Sequence, residues 1–178
     1  MTRLSPRILA AYALPAFPLA ILGLPLNVYL PAFWGETMGL GLSAVGAVLL
    51  ATRLIDGVTD PLVGWLSDRT RTRFGRRRPW IAAAGLVAAP AVWLLLVPPE
   101  GAGAAHLFVC ASLVYLGWTM INVPHSAWGA ELSTDYNERT RITSWREAAT
   151  IGGIVASALV PALIAGGLAA DLRAAFCR

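Results

Sequence analysis

The stretch that decides the fold is RLIDGVTDPLVGWLSDRTRTRFGRRRPW, residues 53–80. It starts in an apolar run that is long enough to cross a bilayer, and it ends in a loop dense in arginine. Asp56 and Asp60 lie inside the apolar part, four residues apart and therefore on one face of a helix. A carboxylate at membrane depth costs about 3 kcal/mol on insertion scales. Two carboxylates at this spacing therefore indicate an ion or proton path.

The composition indicates a membrane protein. Hydrophobic residues make up 57% of the 178-residue chain and charged residues 13%, and the mean hydropathy is +0.63. Soluble domains carry about 25% charged residues. The net charge of +4 comes mostly from one arginine loop, so it indicates membrane topology and no nucleic-acid partner is expected. Cys110 and Cys177 lack metal-ligand spacing, so we expect no cofactor and no metal beyond a coupling cation.

Apolar runs predict an all-α membrane protein with five transmembrane helices. Each run has about twenty or more largely apolar residues, enough for the roughly 30 Å hydrocarbon core. Prolines in the first run predict bends, which suit a helix that lines a cavity. The expected helices cover approximately residues 6–33, 42–66, 79–97, 104–128 and 141–168.

The placement of arginine predicts the orientation. The loop at residues 67–78 holds six arginines against one acid, whereas the loops at residues 34–41 and 98–103 each hold one glutamate and no arginine. The positive-inside rule therefore places the N-terminus and the arginine loop in the cytoplasm, and we expect a bacterial inner membrane. Arginines beside a membrane also contact lipid headgroups. The odd number of helices and the abrupt end favour an incomplete chain.

The second helix carries a candidate coupling-ion site. Arg53, Asp56 and Asp60 recur along one stripe of this helix. Thr59 adds a hydroxyl, and Pro61 removes an amide hydrogen bond and so can free a carbonyl. Oxygen donors suit a hard cation such as Na+, and two close carboxylates can also share a proton. The alternative is a structural pairing of Arg53 with Asp56.

The arginine loop carries a second pattern, Gly64-x-x-x-Asp68-Arg69 followed by Gly75-Arg76-Arg77-Arg78. Glycine lets a neighbouring helix approach closely, and Asp68 at the helix end can bridge arginines. A bridge of this kind that exists in only one conformation of a transporter is a latch.

These motifs resemble the loop signature of the major facilitator superfamily. The longer pattern is similar to the glycoside–pentoside–hexuronide:cation symporters in Asp56-x-x-x-Asp60-Pro61-x-x-Gly64, Thr72-Arg73-x-Gly75-Arg76 and Arg78-Pro79-Trp80. The loop after the fourth helix resembles the same family in Asn122-x-Pro124, Glu131-Leu132, Asp135 and Glu138-Arg139-Thr140-Arg141. The resemblance implies the first five helices of a twelve-helix transporter: an incomplete N-terminal six-helix half that lacks its C-terminal half.

The resemblance also implies roles for individual residues. Those expected to bind the coupling cation, Na+ or H+, are Asp56, Thr59, Asp60 and Thr119. Those expected to bind the substrate are Asn27, Asn122, Trp128 and Arg146. Those expected to form the cytoplasmic latch are Gly64, Asp68, Arg69, Arg73, Arg76, Glu138, Arg139 and Arg141.

The substrate class stays open. Sugar carriers of the family place aspartates at two positions that hold Ala20 and Asn122 here, and a tryptophan at the position of Ser126. The expected function is sodium- or proton-coupled symport of a sugar, glycoside or related small solute. The alternatives are a sodium-coupled carrier of lysolipids and a truncated product without function.

A membrane enzyme is a remote alternative. Asp56-Gly57 with Gly64-x-x-x-Asp68 partly resembles the signature of CDP-alcohol phosphotransferases. That signature needs Ala-Arg where this chain has Asp60-Pro61, and an aspartate where it has Thr72. Its metal site would be incomplete, so we do not expect an enzyme.

Two further expectations concern polar and aromatic residues at the helix ends. Arg146 and Glu147 are adjacent and are expected to point to different faces of the fifth helix. Trp34, Trp65 and Trp80 lie near the ends of apolar runs and are expected to be interfacial anchors.

Overall fold

The computed structural model describes residues 3–73, 75 and 77–176, with the backbone alone for Arg78 and residues 160–176. Arg76 and Cys177, both considered above, lie outside the described residues. The described residues form helices and no strand. The α-helices are α1 (Pro6–Ala13), α2 (Ala16–Leu24), α3 (Leu30–Ala32), α4 (Leu42–Arg69), α5 (Arg78–Leu96), α6 (Ala104–Glu131) and α7 (Tyr136–Phe176), and two π-helical turns cover Pro25–Tyr29 and Phe33–Thr37.

Apolar helices confirm the prediction of an all-helical, multi-pass membrane protein. Among the described residues, the segments long and apolar enough to cross a membrane are Pro6–Thr37, Leu42–Arg69, Pro79–Leu96 and Ala104–Glu131. The second and fourth of these continue three residues past the expected ends at residues 66 and 128. The fifth expected span lies within α7, which is longer at both ends, and it stays a prediction.

The first span is interrupted where its prolines lie, as expected. A turn at Leu14 and Pro15 separates α1 from α2, and one π-helical turn starts at Pro25. Proline lacks a backbone N–H and disturbs the helical ladder, which explains these irregularities. The helical path continues to Thr37, four residues past the approximate expected end at residue 33, because the second π-helical turn occupies part of the predicted loop.

The chain forms two compact units, the first made of Met1–Leu30 and Asp135–Arg178. In this unit α7 packs against α1 and α2. The contact between α7 and α2 is close at Gly153, because a Cβ atom there would meet the carbonyl oxygen of Phe17 and lie 2.7 Å from Cβ of Ala20. Small residues of this kind let membrane helices pack backbone to backbone.

A hydrogen bond between the same two helices compensates for a proline. Pro25 has no N–H, so the carbonyl of Ile21 lacks its usual donor four residues later. The buried hydroxyl of Ser157 on α7 donates to that carbonyl over 2.8 Å. The proline thus creates an acceptor that the neighbouring helix satisfies.

The second unit spans Pro31–Thr134, and in it α4 and α5 each pack against α6. Gly117 on α6 allows the approach of α5, since a Cβ atom there would lie 2.6 Å from Cβ of Ala88. A small apolar cluster of Val63, Ala84 and Met120 joins the three helices. This packing sets the positions of the polar residues on α4 and α6.

Trp34 is fully buried, so its assignment as an interfacial anchor is wrong. Its Nε1 donates to the carbonyl of Leu95 over 3.1 Å, and its ring stacks on His106 with 5.8 Å between centroids. Leu95 lies in the last turn of α5, where carbonyls have no helical donor. Trp34 is buried because it supplies that donor. Trp65 is half exposed, as an interfacial residue would be.

Candidate functional site

The clearest polar contact between helices in the second unit joins Asp60 on α4 to Thr119 on α6. Thr119 Oγ1 donates to Asp60 Oδ1 over 2.6 Å. Thr119 is buried, and Asp60 is exposed at the edge of the unit. Hydrogen bonds to an ionised carboxylate are short and roughly twice as strong as neutral ones. The structure therefore brings together two of the four residues expected to bind the cation.

Asp56 lies one turn before Asp60, beside an arginine. Arg53 Nη1 is 3.5 Å from Asp56 Oδ2, and its guanidinium carbon is 4.1 Å from the ring centroid of Tyr115 on α6. The side chain of Asp56 is 17% exposed and that of Arg53 is 51% exposed. The structural pairing considered from the sequence is thus present, and Asp60 has a hydroxyl as its partner instead of a second arginine.

Thr59 is oriented by its own helix. Its Oγ1 lies 3.5 Å from the carbonyl oxygen of Asp56, at the long limit of a hydrogen bond. The hydroxyl is half-buried, between the two aspartates in sequence. Together the two carboxylates and the two threonine hydroxyls supply oxygen donors suited to a hard cation, with Arg53 as a fixed positive charge at one end.

Two of the expected substrate-binding residues belong to the second unit. Asn122 is exposed on α6, three residues after Thr119 and so close to the same helical face. Trp128 is 39% exposed, and its ring meets His125 edge-on with 6.4 Å between centroids. His125 is buried, with 1% of its surface exposed.

The other two expected substrate-binding residues belong to the first unit, so each is described by itself. Asn27 lies in the first π-helical turn, and its Nδ2 donates to the carbonyl of Gly23 over 2.7 Å. Arg146 Nη2 lies 2.8 Å from Glu147 Oε1. Adjacent helical positions leave the helix about 100° apart, and the two long side chains reach towards each other to pair. The expectation that Arg146 and Glu147 face different surroundings stays a prediction.

Among the described residues, Arg77 pairs with Asp68, although it was not among the expected latch residues. Its Nη2 lies 3.7 Å from Asp68 Oδ1 and 2.7 Å from Glu131 Oε1. Its Nη1 donates to the carbonyl of Pro124 over 2.6 Å. The side chain of Arg77 is only 10% exposed. The sequence singled out the run of three arginines but held no signal to separate this one from its neighbours.

Three other expected latch residues lie in the second unit, and their role in a latch stays a prediction. The guanidinium of Arg69 stacks on Trp65, with 4.0 Å to the ring centroid. Gly64 faces α6, where an added Cβ atom would lie 3.5 Å from Cγ1 of Val123. Arg73 is exposed in the loop after α4. A Cβ atom at Gly64 would therefore make an ordinary contact with α6, and Arg69 covers an exposed tryptophan.

The remaining expected latch residues lie at the start of α7, in the first unit. Glu138 is buried and accepts hydrogen bonds from Arg141 Nη1 at 2.8 and 3.2 Å and from the backbone N–H of Leu4 at 3.3 Å. Asp135 caps the helix by accepting from the backbone N–H of Glu138 over 3.2 Å. Arg139 lies in an open depression along α7. This group ties the N-terminal segment to α7.

Comparison with known proteins decides the family. A profile described as "MFS/sugar transport protein" matches residues 11–176, which is nearly the whole chain. The chain belongs to this family of transporters. The resemblance to the glycoside–pentoside–hexuronide:cation symporters is confirmed, and so is the prediction of a transporter instead of an enzyme.

Three relatives give the extent of the match. The symporter sll1374 of Synechocystis is 36% identical over 167 residues, which cover 89% of this chain and 31% of the relative. The inner membrane symporter YicJ of Escherichia coli is 30% identical over 141 residues, covering 77% and 31%. The sodium-dependent lysophosphatidylcholine symporter 1-A of Danio rerio is 32% identical over 160 residues, covering 87% and 30%. This MFS chain therefore spans about a third of the length of the curated relatives it matches.

Proposed function

We propose that this chain carries the coupling-ion site of a cation-driven symporter. The observation that carries the proposal is the hydrogen bond from Thr119 to Asp60, which joins two helices through an acidic residue within apolar segments. A carboxylate in such a segment is expensive to keep unless it has a use. With Asp56 one turn away, the site offers two carboxylates to one Na+ or H+.

Charge neutralisation couples the cation to transport. An empty site with two carboxylates and one arginine is negative, so closing it away from water is unfavourable. A bound Na+ or H+ cancels that charge and lowers the cost of occlusion. If the occluded state also binds substrate more tightly, the substrate must raise cation affinity by the same factor.

The proposed cargo is a sugar, glycoside or related small solute. The family description names sugar transport, and the polar side chain of Asn122 lies on α6 near Thr119. A carrier of lysolipids is the second candidate, because a relative at 32% identity is named a sodium-dependent lysophosphatidylcholine symporter. Uptake by the longer transporter, measured with each cargo under a sodium or a proton gradient, separates the two.

The proposed setting is a bacterial inner membrane with the N-terminus in the cytoplasm. The arginine-rich loop supports this orientation, and a relative is named an inner membrane symporter. Lipids surround the exposed apolar side chains. The chain would form the first five helices of an N-terminal half and combine with a C-terminal half, since relatives are about three times longer.

Equilibrium binding of radioactive Na+ to the chain in lipid nanodiscs tests the proposed site. Wild type should bind Na+ saturably, and protons should compete. Asp60→Asn should lose this binding because one carboxylate and its charge are gone. The matched control is Glu100→Gln, which removes an exposed acid from the loop between α5 and α6. Saturable binding that survives in Asp60→Asn would refute the site. In the longer transporter, Asp60→Ala should abolish cation-dependent uptake.

A further inference from the structure

We propose that Arg77 is a positioning residue that sets the affinity of the cation site from the far end of α4 and α6. This inference rests on the proposed function and concerns a residue to which the sequence motif gave no role apart from its two arginine neighbours. Arg77 does not touch Asp60 or Thr119 in the contacts described above. It acts by holding the two helices that carry them in a fixed relation.

Arg77 makes three contacts with groups on α4 and α6. Its two terminal nitrogens reach the Pro124 carbonyl at 2.6 Å, Glu131 Oε1 at 2.7 Å and Asp68 Oδ1 at 3.7 Å. Asp68 lies on α4, while Pro124 and Glu131 lie on α6. The planar guanidinium can serve several acceptors at fixed angles, which a lysine cannot do. One side chain therefore clamps the ends of both helices.

Burial distinguishes Arg77 from the other arginines of the loop whose side chains the structure describes. The side chain of Arg77 is 10% exposed, whereas Arg71 and Arg73 are exposed. A buried guanidinium is costly without partners, so its contacts persist because losing them would strand a charge. Membrane topology and lipid headgroups need only exposed arginines. The burial of Arg77 thus indicates a role in holding the helices of this unit together.

The hydrogen bond from Arg77 to the Pro124 carbonyl lies where α6 lacks one of its own backbone hydrogen bonds. Pro124 lies inside α6 and has no N–H, so the carbonyl of Met120 loses its helical donor and α6 has a weak point there. Thr119 lies just before this weak point, and Glu131 lies after it. Arg77 binds on the far side, at the carbonyl of Pro124 itself and at Glu131. Arg77 thus restrains the part of α6 that follows the proline.

A packed layer connects the clamp to the cation site. Val63 on α4 and Met120 on α6 share a buried cluster, between the hydrogen bond at Asp60 and the clamp at Arg77. Asp60 and Asp68 are eight residues apart on α4, which is about 12 Å along a helix. If the distance between the ends of α4 and α6 changes, close-packed side chains transmit that change to the cation site. There it alters the distance between Thr119 and Asp60.

Sodium binding to the chain in nanodiscs at one fixed pH tests the proposal. Arg77→Gln should raise the Na+ dissociation constant by about 2- to 30-fold, which is the range for mutations that act on a site through packing. The number of sites per folded chain should stay the same. Arg71→Gln, which removes an exposed charge from the same loop, should leave the dissociation constant unchanged. A purely structural role would lower the number of sites and leave the affinity as in wild type.

Two further variants keep the test decisive if Arg77→Gln does not fold, as judged by helicity and by size in detergent. Arg77→Lys retains the charge but reaches fewer acceptors, so it should give an intermediate affinity. Glu131→Gln weakens one contact and retains the bond to Pro124, so it should give a smaller loss. Folded variants with wild-type Na+ affinity would overturn the inference. A wild-type chain without saturable binding would instead refute the proposed function.

Discussion

The hydroxyl of Thr119 on α6 donates a hydrogen bond of 2.6 Å to the carboxylate of Asp60 on α4. The two residues are 59 positions apart in the chain, so this contact exists only because α4 packs on α6. It holds one carboxylate oxygen in place and leaves the carboxylate at the edge of the unit. An acidic group that is both held and accessible is suited to bind and release a cation.

Thr119→Val should weaken Na+ binding. Valine keeps the shape of threonine but removes a donor to a carboxylate, and hydrogen bonds to charged groups contribute about 1.5–3 kcal/mol. We expect the Na+ dissociation constant to rise by about tenfold or more in equilibrium binding. Thr52→Val is the matched control, because the buried Thr52 hydroxyl bonds to the carbonyl of Val48 in its own helix. An equal loss of Na+ affinity in Thr119→Val and Thr52→Val would contradict the assigned role of Thr119.

Arg53→Gln should tighten Na+ binding. The guanidinium competes with an entering cation for Asp56, over a distance of 3.5 Å, and repels it. Because this ion pair is half exposed, its removal changes the binding free energy by up to about 1 kcal/mol, a factor of about five. Arg53→Lys retains the charge and should bind Na+ as wild type does. Weaker binding in Arg53→Gln would show that the arginine organises the site more than it competes.

Gly153→Ala should destabilise the first unit. A Cβ atom there meets the backbone oxygen of Phe17, which cannot rotate away, so α2 and α7 must separate. Overpacking of this kind costs about 1–3 kcal/mol. Gly152→Ala is the matched control, since its Cβ would lie 3.7 Å from the ring of Phe17, in ordinary contact. Thermal unfolding in detergent, followed by helicity, should show a lower midpoint for Gly153→Ala alone.

Ser157→Ala should also lower the stability of the first unit. The substitution leaves the carbonyl of Ile21 without a donor, because Pro25 cannot supply one. Hydrogen bonds between membrane helices contribute about 0.6 kcal/mol on average and at most about 1.7. Ser144→Ala is the control, because the exposed Ser144 hydroxyl bonds to Thr140 in its own helix. An unfolding midpoint equal to that of the control would mean that another group satisfies Ile21.

Several features could be read from the sequence because they depend on local pattern. Runs of apolar residues longer than the bilayer core define α4, α5 and α6 to within a few residues. The helical period places Asp56 and Asp60 on one stripe, and prolines mark the breaks in the first span. Family membership follows from motifs of the same local kind.

Contacts between helices were decided by the tertiary structure alone. The burial of Arg77, the full burial of Trp34 and the bond from Ser157 to Ile21 cannot be predicted from the local sequence pattern. Each depends on how far a helix is rotated and how closely its neighbour approaches, which is set by packing of side chains far apart in sequence. The apolar pattern therefore determined that helices cross a membrane and which residues share a helical face, while packing determined which charged and polar groups meet.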